Sequence, residues 1–398
     1  MDDLPRLHAL RQYALLADGE RGGIVGPDGA VVWLCFPRWH DDAIFGALVG
    51  ASGSYTVTPQ DRFVWGGYYE EGTLIWRSRW VTNHGVIECR EALAAPASAD
   101  RAVLLRRVVV REGRGAVRVR LEPATNFGRH HLRHLDQRDG VWTGIAGDVH
   151  VRWSGAGDVE VERSRRASAL TTRLALREGQ HHDFVLELSC DAPSDPPPVA
   201  EREWERTEQF WAHEVPPLEH VEPARDVRHA VVVLRGLTSS SGGTVAAATT
   251  SLPERAEAGR NYDYRYVWIR DLCLTGLAYD AAGLATPLER AVAFVQARLL
   301  ADGPATPPAS TVEGAPVPGQ RSLSLPGYPG GQDFVGNHVN EQFQLDAFGQ
   351  SLLLFAAAAR RDRLDPDGWR AVDVAVDTIK RRGDEPDSGI WELSPARW

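Results

Sequence analysis

The first half of the chain alternates apolar and polar residues with a period of two. The alternation runs from about Ser54 to Ser189, and Gly, Asp and Pro separate the short runs. The runs are Y-T-V-T-P, T-L-I-W-R-S-R-W, V-L-L-R-R-V-V-V, A-V-R-V-R-L, D-V-H-V-R-W, D-V-E-V-E-R, T-R-L-A-L-R and F-V-L-E-L. Successive side chains of a strand point to opposite faces, so each run predicts a strand with one face in a core and one in water. Such runs predict a two-layer antiparallel β-sandwich.

A proline-rich segment marks the end of this pattern. Residues 191–198 read D-A-P-S-D-P-P-P and cannot continue a sheet, because proline lacks the N–H donor and fixes φ. We therefore predict an N-terminal β-sandwich domain over residues 1–198. The next residues place Trp204, Thr207 or Glu208, and Trp211 on one helical face, which predicts a linker helix within residues 199–217.

From Arg225 the apolar residues recur with the period of helices, in five or six segments. Several segments are apolar over much of their circumference, which favours helices buried between two layers. Residues 218–398 are therefore predicted to form a helical second domain. A long Gly- and Pro-rich loop crosses it at residues 302–333, and loops of this length in compact domains are usually functional.

Composition narrows the class of protein. The 398 residues are 43% hydrophobic, enough for two buried cores, and the net charge is −10. This charge disfavours nucleic acid or an anionic membrane as a partner. The first residues lack a secretory signal pattern, and no apolar run approaches the roughly 20 residues of a membrane span, so we predict a cytoplasmic protein. The four cysteines have no metal-ligand spacing and are predicted to be free buried thiols.

The densest polar and aromatic segment lies before an apolar helix. Residues 259–271 read G-R-N-Y-D-Y-R-Y-V-W-I-R-D, with three arginines, two aspartates, one asparagine and four aromatic rings. Guanidinium and carboxylate groups offer the donors and acceptors that sugar hydroxyls need, and aromatic faces stack on a pyranose ring. The segment is typical of a sugar subsite. A simpler interpretation makes Asp271 a helix N-cap and Arg270 half of a surface ion pair.

A second candidate is Glu392, which follows Trp391 in G-I-W-E. A general acid for a glycosidic oxygen must stay protonated near neutral pH, and an adjacent indole with little water penalises the carboxylate form. The alternative is a solvated glutamate in an ordinary loop.

A third cluster ends the long loop with Tyr328, Asn337, Gln342, Gln344 and Asp346. The last two can instead simply tie the loop to the next helix. His338 has no other His or Cys at ligand spacing, so no metal is predicted.

These segments together resemble glycoside hydrolase family 15, the bacterial and archaeal glucoamylases, glucodextranases and trehalases. The resemblance covers nearly the whole chain and rests on five motifs in order. They are A-L-L-A-D-G-E-R-G-G-I-V-G-P-D-G-A-V-V-W-L-C-F-P-R-W (14–39), T-V-A-A-A-T-T-S-L-P-E (244–254), R-N-Y-D-Y-R-Y-V-W-I-R-D (260–271), G-N-H-V-N-E-Q-F-Q-L-D-A-F-G (336–349) and D-S-G-I-W-E (387–392).

The resemblance implies a β-supersandwich followed by an (α/α)6 toroid with the active site in its funnel. It implies that Trp268, Arg270 and Asp271 line the subsite for the non-reducing glucose, with Tyr264 and Trp391 as further substrate-binding residues. Glu392 would be the general acid of an inverting hydrolase, and a second carboxylate would activate water. The implied partner is an oligosaccharide or disaccharide, and no cofactor is needed.

The sequence also departs from the family pattern. A full toroid has twelve helices, so about half is predicted here, and no residue matches the family's general base. Val31-Val32, Trp39-His40 and Gln350 replace residues usual in the family. We therefore expect a chain truncated within the catalytic domain, inactive alone and prone to associate.

Three function classes follow. The preferred one is a hydrolase releasing glucose from the non-reducing end of an α-glucan or from trehalose. The second is a non-catalytic carbohydrate-binding remnant without the general base, and the reading frame downstream of Trp398 would distinguish the two. A purely structural β-sandwich protein is disfavoured by the polar and aromatic clusters. The sequence does not separate trehalose from maltooligosaccharide, isomaltose or dextran.

Overall fold

The computed structural model describes residues 5–163, 168–218, 222–254 and 261–392. The chain forms two compact units. The first contains Met1–Pro217 together with Ser324–Gln332, and the second contains Leu218–Leu323 and Asp333–Trp398. The segment Ser324–Gln332 thus belongs with the first unit although it lies far along the chain. The boundaries inferred from sequence at 198 and 217 remain predictions.

The first unit is built mainly of antiparallel strands. In chain order they are β1 (Ala14–Ala17), β2 (Gly22–Val25), β3 (Ala30–Cys35), β4 (Ala43–Phe45), β5 (Ser54–Pro59), β6 (Phe63–Tyr69), β7 (Trp76–Thr82), β8 (Gly85–Leu93), β9 (Arg101–Glu122), β10 (His130–Arg138), β11 (Val141–Ala146), β12 (Val149–Ser154), β13 (Glu160–Arg163), β14 (Ser168–Arg177) and β15 (His181–Ser189). They pair in the order β1-β2-β3-β5-β9-β15-β12-β11-β10, with β4, β6–β8, β13 and β14 as branches. Short helical turns lie at Leu10–Gln12, Ala47–Val49 and α1 (Thr125–Gly128).

Strand β9 joins two groups of strands. Its first half pairs with β8 and β15, and its second half pairs with β5 and β14. Gly113 lies between the halves with φ +67°, and a Cβ there would collide with the His84 carbonyl oxygen, so only glycine fits. The two groups share one core, in which Tyr55 of β5 packs edge-on against Trp153 of β12 at a centroid distance of 6.1 Å. The predicted antiparallel sheet is confirmed.

The sheet begins earlier than the alternating pattern. Strands β1–β4 precede Ser54, where the pattern starts. All six residues of β3 and all three of β4 are buried, so no polar face alternates with an apolar one. A strand buried on both faces has no period-two signal. This is why the alternating pattern did not reveal β3 and β4.

Helix α2 (Ala200–Glu214) packs on the sheet of the same unit. Trp204, Thr207 and Trp211 are its buried residues, which is the face that their spacing predicts. The Thr207 hydroxyl accepts a hydrogen bond from the Ala95 N–H at 3.1 Å. The Arg90 guanidinium lies 4.3 Å from the Trp204 ring centroid, a cation–π contact.

The second unit is mainly helical. Its described helices are α3 (Ala224–Gly236), α4 (Ile269–Ala281), α5 (Ala285–Asp302), α6 (Asp346–Ala359) and α7 (Pro366–Arg382), with turns at Gly303–Ala305 and Val339–Glu341. Two small two-stranded antiparallel sheets pair β16 (Val267–Trp268) with β17 (Ala309–Ser310) and β18 (Arg321–Ser322) with β19 (Phe334–Val335). Helix α4 packs against α5 and α6, and Gly276 of α4 leaves no room for a Cβ beside Leu354. An antiparallel sheet followed by helices is thus observed.

Two smaller expectations can be compared with the structure. All four cysteines are free; Cys35, Cys89 and Cys273 are buried, whereas Cys190 is half-buried. Among the described residues, no helix has both the length and the apolar character needed to cross a membrane.

Candidate functional site

A polar cavity of about 660 Å³ opens in the second unit. This volume lies within the usual range for small-molecule pockets. All six site residues named from the sequence line it, together with residues that the sequence analysis did not assign to a site. The lining residues are Ala246, Glu254, Tyr262, Tyr264, Trp268, Arg270, Asp271, Gln320, Asn337, His338, Gln342, Ile390, Trp391 and Glu392.

Glu392 is held at the cavity by residues more than 120 positions earlier in the chain. The Trp268 indole N–H donates to Glu392 Oε1 at 2.7 Å, and Arg270 Nη2 lies 3.3 Å from the same oxygen. Trp268 is buried and occupies the N-cap position of α4, while its strand β16 pairs with β17. Glu392 has a φ of +53°, which is uncommon for a residue other than glycine. Two separate motifs therefore meet at one carboxylate.

Arg270 is fixed from the opposite side by the third cluster. Its Nη1 donates to Gln344 Oε1 at 2.8 Å and to Asp346 Oδ2 at 3.1 Å. Gln344 in turn donates from Nε2 to Gln342 Oε1, which lines the cavity. Gln344 and Asp346 therefore anchor the guanidinium instead of only tying the loop to α6.

The N-cap of α4 is Trp268, and Asp271 is the third residue of the helix, in its first turn. The alternative that Asp271 is the N-cap is therefore wrong. Its side chain is solvent-exposed within the cavity, yet the surrounding protein desolvates it. This desolvation raises the pKa of Asp271 above its ordinary value; Arg270 opposes the rise, and the charges of Glu392 and Asp346 add to it. The carboxylate form of Asp271 is thus held at a cost to stability.

Aromatic rings form part of the cavity wall. Tyr264 lies between Tyr262 and Trp268, with ring centroids 5.9 and 5.5 Å away. Trp391 is 75% exposed. The expectation that Trp391 keeps water from Glu392 is thus not what the structure shows, because the indole bonded to Glu392 belongs to Trp268. Trp391 instead offers an open aromatic face at the cavity.

Glu254 is a lining carboxylate that the sequence analysis did not single out. The Tyr264 hydroxyl donates to Glu254 Oε1. Burial, then the hydrogen bond and charge of Glu254, then the charge of Glu392 raise the pKa of Tyr264. The tyrosine therefore stays protonated and remains the donor. Glu254 ends a motif quoted for the family resemblance, but a single carboxylate in a loop has no local signature.

Asp263 holds three cavity segments together. Its side chain is fully buried and accepts hydrogen bonds from Arg265 Nη2 at 2.7 Å and from the Gly336 N–H at 2.9 Å. Its backbone oxygen accepts from Asn337 Nδ2 at 3.2 Å, and its backbone bridges to Thr250. The segment near Glu254 is therefore joined to Asp263 through its backbone, and the segment near Asn337 through both its backbone and its carboxylate.

The remaining residues of the third cluster divide between the units. Asn337 and Gln342 line the cavity, but Tyr328 lies in the first unit, where its hydroxyl donates to the His8 carbonyl oxygen at 2.7 Å. Within residues 5–163, 168–218, 222–254 and 261–392, no group of three or more His, Cys, Asp or Glu could hold a metal ion. The described part of the cavity lining thus offers three carboxylates, one guanidinium, amides and aromatic faces, which can bind a ligand rich in hydroxyl groups.

Comparisons with known proteins fit this architecture. Residues 232–398 match the family described as glycosyl hydrolases family 15. Residues 6–212 match the trehalase-like N-terminal family. The second part of the chain belongs to glycosyl hydrolase family 15, and its first half belongs to the trehalase-like N-terminal family.

Individual relatives cover most of the chain. The trehalases of Mycobacterium tuberculosis and Mycolicibacterium smegmatis are each 28% identical over 96% of this chain, which spans 61% and 62% of their lengths. A crystal structure of a bacterial glucoamylase complexed with acarbose superposes with a TM-score of 0.66 at 11% identity, covering 100% of this chain and 63% of that chain. The chain therefore spans about three fifths of these proteins.

Proposed function

We propose that this chain carries the sugar-binding site and the general acid of a glycoside hydrolase that releases glucose from trehalose. Trehalases of two mycobacteria are among its relatives, and the family match includes the residues around the cavity. The non-reducing end of an α-glucan is the second substrate to be tested. The observation that carries the proposal is the Glu392 carboxylate, held in a polar cavity by Trp268 and Arg270.

The fold proposal is that α3–α7 belong to an (α/α)6 toroid whose funnel contains the cavity. Its support is the superposition on the bacterial glucoamylase over the whole chain. Helices α4, α5 and α6 pack on one another, and α4 begins at the cavity with Arg270 and Asp271. The first unit would be the β-supersandwich of the family.

In the proposed reaction, Glu392 donates its proton to the glycosidic oxygen as the bond to the anomeric carbon breaks. A second carboxylate activates a water on the opposite face of the sugar, so the anomeric configuration inverts. The donors from Trp268 and Arg270 fix the orientation of Glu392. No residue of this sequence matches the family's general base, which keeps the non-catalytic sugar-binding protein as the alternative.

Arg270 and Asp271, which both line the cavity, are proposed to bind the sugar. Asp271 and Arg270 are placed to exchange charge-assisted hydrogen bonds with sugar hydroxyls, which are roughly twice as strong as neutral ones. Tyr264 and Trp391 offer aromatic faces to the apolar side of the ring. The raised pKa of Asp271 supports a binding role, since its charge is costly to the folded chain and is stabilised by a ligand.

An Asp271→Asn variant tests this role through two opposite effects. It should raise the Kd for trehalose about tenfold, because a charge-assisted hydrogen bond becomes a neutral one. It should also make the protein more stable at pH 7, because the raised pKa means that the ionised carboxylate opposes folding. The gain should vanish as pH falls below the ordinary Asp pKa of about 3.9, where the carboxyl is protonated in both folded and unfolded chains. Calorimetric titration gives the affinity, and urea unfolding at several pH values gives the stability.

The matched control is Asp373→Asn, an exposed carboxylate on α7 outside the cavity lining. It should leave the affinity unchanged. If Asp271→Asn lowers stability at pH 7 and leaves affinity unchanged, Asp271 serves only the helix, and the binding role is wrong.

A further inference from the structure

We propose that Glu254 is a further sugar-contacting residue, whose carboxylate accepts a hydroxyl of the bound saccharide while it holds Tyr264 in place. The inference rests on the proposed sugar binding at this cavity. It adds a residue that neither the sequence motifs nor the proposed reaction assigned.

The first support is the position of the carboxylate. Glu254 lines the cavity and its side chain is exposed to it. Among the described residues, two other carboxylates line the cavity: Asp271 at the start of α4 and Glu392 in the Gly389–Glu392 segment. Glu254 approaches from a different loop, so it presents an acceptor to a different part of a ligand.

The second support is the hydrogen-bonding capacity that Glu254 retains. An ionised carboxylate has two oxygens and about four acceptor positions. The Tyr264 hydroxyl occupies one position on Oε1. Among the residues that the structure describes, Glu254 makes no other hydrogen bond or ion pair. Its Oε2 is therefore available to a hydroxyl group in the cavity.

The third support is that Tyr264 fixes where Glu254 can act. The Tyr264 ring lies 5.5 Å from the Trp268 ring, and Trp268 donates to Glu392. The Asp263 backbone next to Tyr264 bridges to Thr250, four residues before Glu254. A sugar whose ring faces Tyr264 would thus meet the carboxylate of Glu254 at its edge. The ligand class is a neutral saccharide that presents hydroxyl donors at this edge.

The experiment is a double-mutant cycle on binding. Wild type, Glu254→Gln, Tyr264→Phe and the double variant are titrated calorimetrically with trehalose, maltose and glucose. Glutamine keeps the size of the side chain and an acceptor for Tyr264, so Glu254→Gln should raise the Kd about five- to tenfold through loss of the charge alone. The substitution should weaken binding to a similar degree in the Tyr264→Phe background.

The control is Glu289→Gln, which removes a surface carboxylate paired with Arg363 on the helical unit and should leave the Kd unchanged. Thermal unfolding of each variant establishes that it is folded. Equal Kd values for wild type and Glu254→Gln would overturn the proposal. So would an effect of Glu254→Gln that disappears in the Tyr264→Phe background, since Glu254 would then act only by orienting the tyrosine. A wild-type protein that binds none of the three sugars contradicts the proposed function itself.

Discussion

Glu392→Gln is expected to lower kcat for trehalose hydrolysis by roughly 100- to 10,000-fold, with little change in KM. Glutamine keeps the shape of the side chain and can still accept from Trp268 and Arg270, but it has no proton to give to the leaving oxygen. The proton is needed in the transition state and not for binding, so the loss falls on kcat. The rate is measured as glucose released, on the 398-residue chain and on any longer product of the same reading frame.

Two comparisons test this prediction in whichever of these polypeptides is active. A substrate with a better leaving group, such as an aryl glucoside, should be hydrolysed by the variant with a smaller loss, since it depends less on protonation. An Asp373→Asn variant should keep the wild-type kcat. Near-normal kcat in Glu392→Gln would rule out Glu392 as the general acid.

Asp263→Ala is expected to destabilise the protein by about 3–5 kcal/mol, because it removes the buried carboxylate that pairs with the buried Arg265 guanidinium. Asp263 is 0% and Arg265 1% exposed, and they are joined by hydrogen bonds of 2.7 and 2.9 Å. The bond from the Gly336 N–H is lost as well. Urea unfolding measures the change in the free energy of unfolding.

Asp263→Asn is the matched variant for this prediction. It keeps the volume and one acceptor oxygen, so it should be destabilised less than Asp263→Ala. Loss of less than about 1 kcal/mol in Asp263→Ala would mean that other contacts satisfy Arg265, and that Asp263 does not hold the cavity segments together. A surface pair offers the contrast: Glu289→Gln should change stability by roughly 0–1 kcal/mol.

The alternating pattern was enough to predict an antiparallel sheet because most of its strands have one wet face. It failed for Ala30–Cys35 and Ala43–Phe45, which are buried throughout and so have no polar face. The helix Ala200–Glu214 was predictable with its buried face, since Trp204, Thr207 and Trp211 repeat at helical spacing. The periodicity of apolar residues reflects which side chains are exposed to solvent. It cannot identify a strand whose two faces are equally buried.

The cavity was predictable only where residue type carried a chemical requirement. Glu392 and the Trp268–Asp271 segment stood out by composition and by resemblance to a family, and the structure brings them within hydrogen-bonding distance. Whether they bind and cleave a sugar stays a prediction. Glu254 was missed because its environment depends on Tyr264, ten residues later, and no short pattern encodes that contact. Tyr328 was grouped with the cavity residues, yet it lies in the first unit and donates to the His8 carbonyl oxygen.

We propose that the cavity of the second unit binds the sugar with Glu392 at the glycosidic oxygen. A crystal structure of the Glu392→Gln variant soaked with trehalose tests it most directly. We predict one trehalose in the cavity, with hydroxyls within about 2.6–3.2 Å of Asp271 and Arg270 and the bridging oxygen facing residue 392. A sugar bound elsewhere on the chain, or one in the cavity whose bridging oxygen points away from residue 392, would contradict the claim.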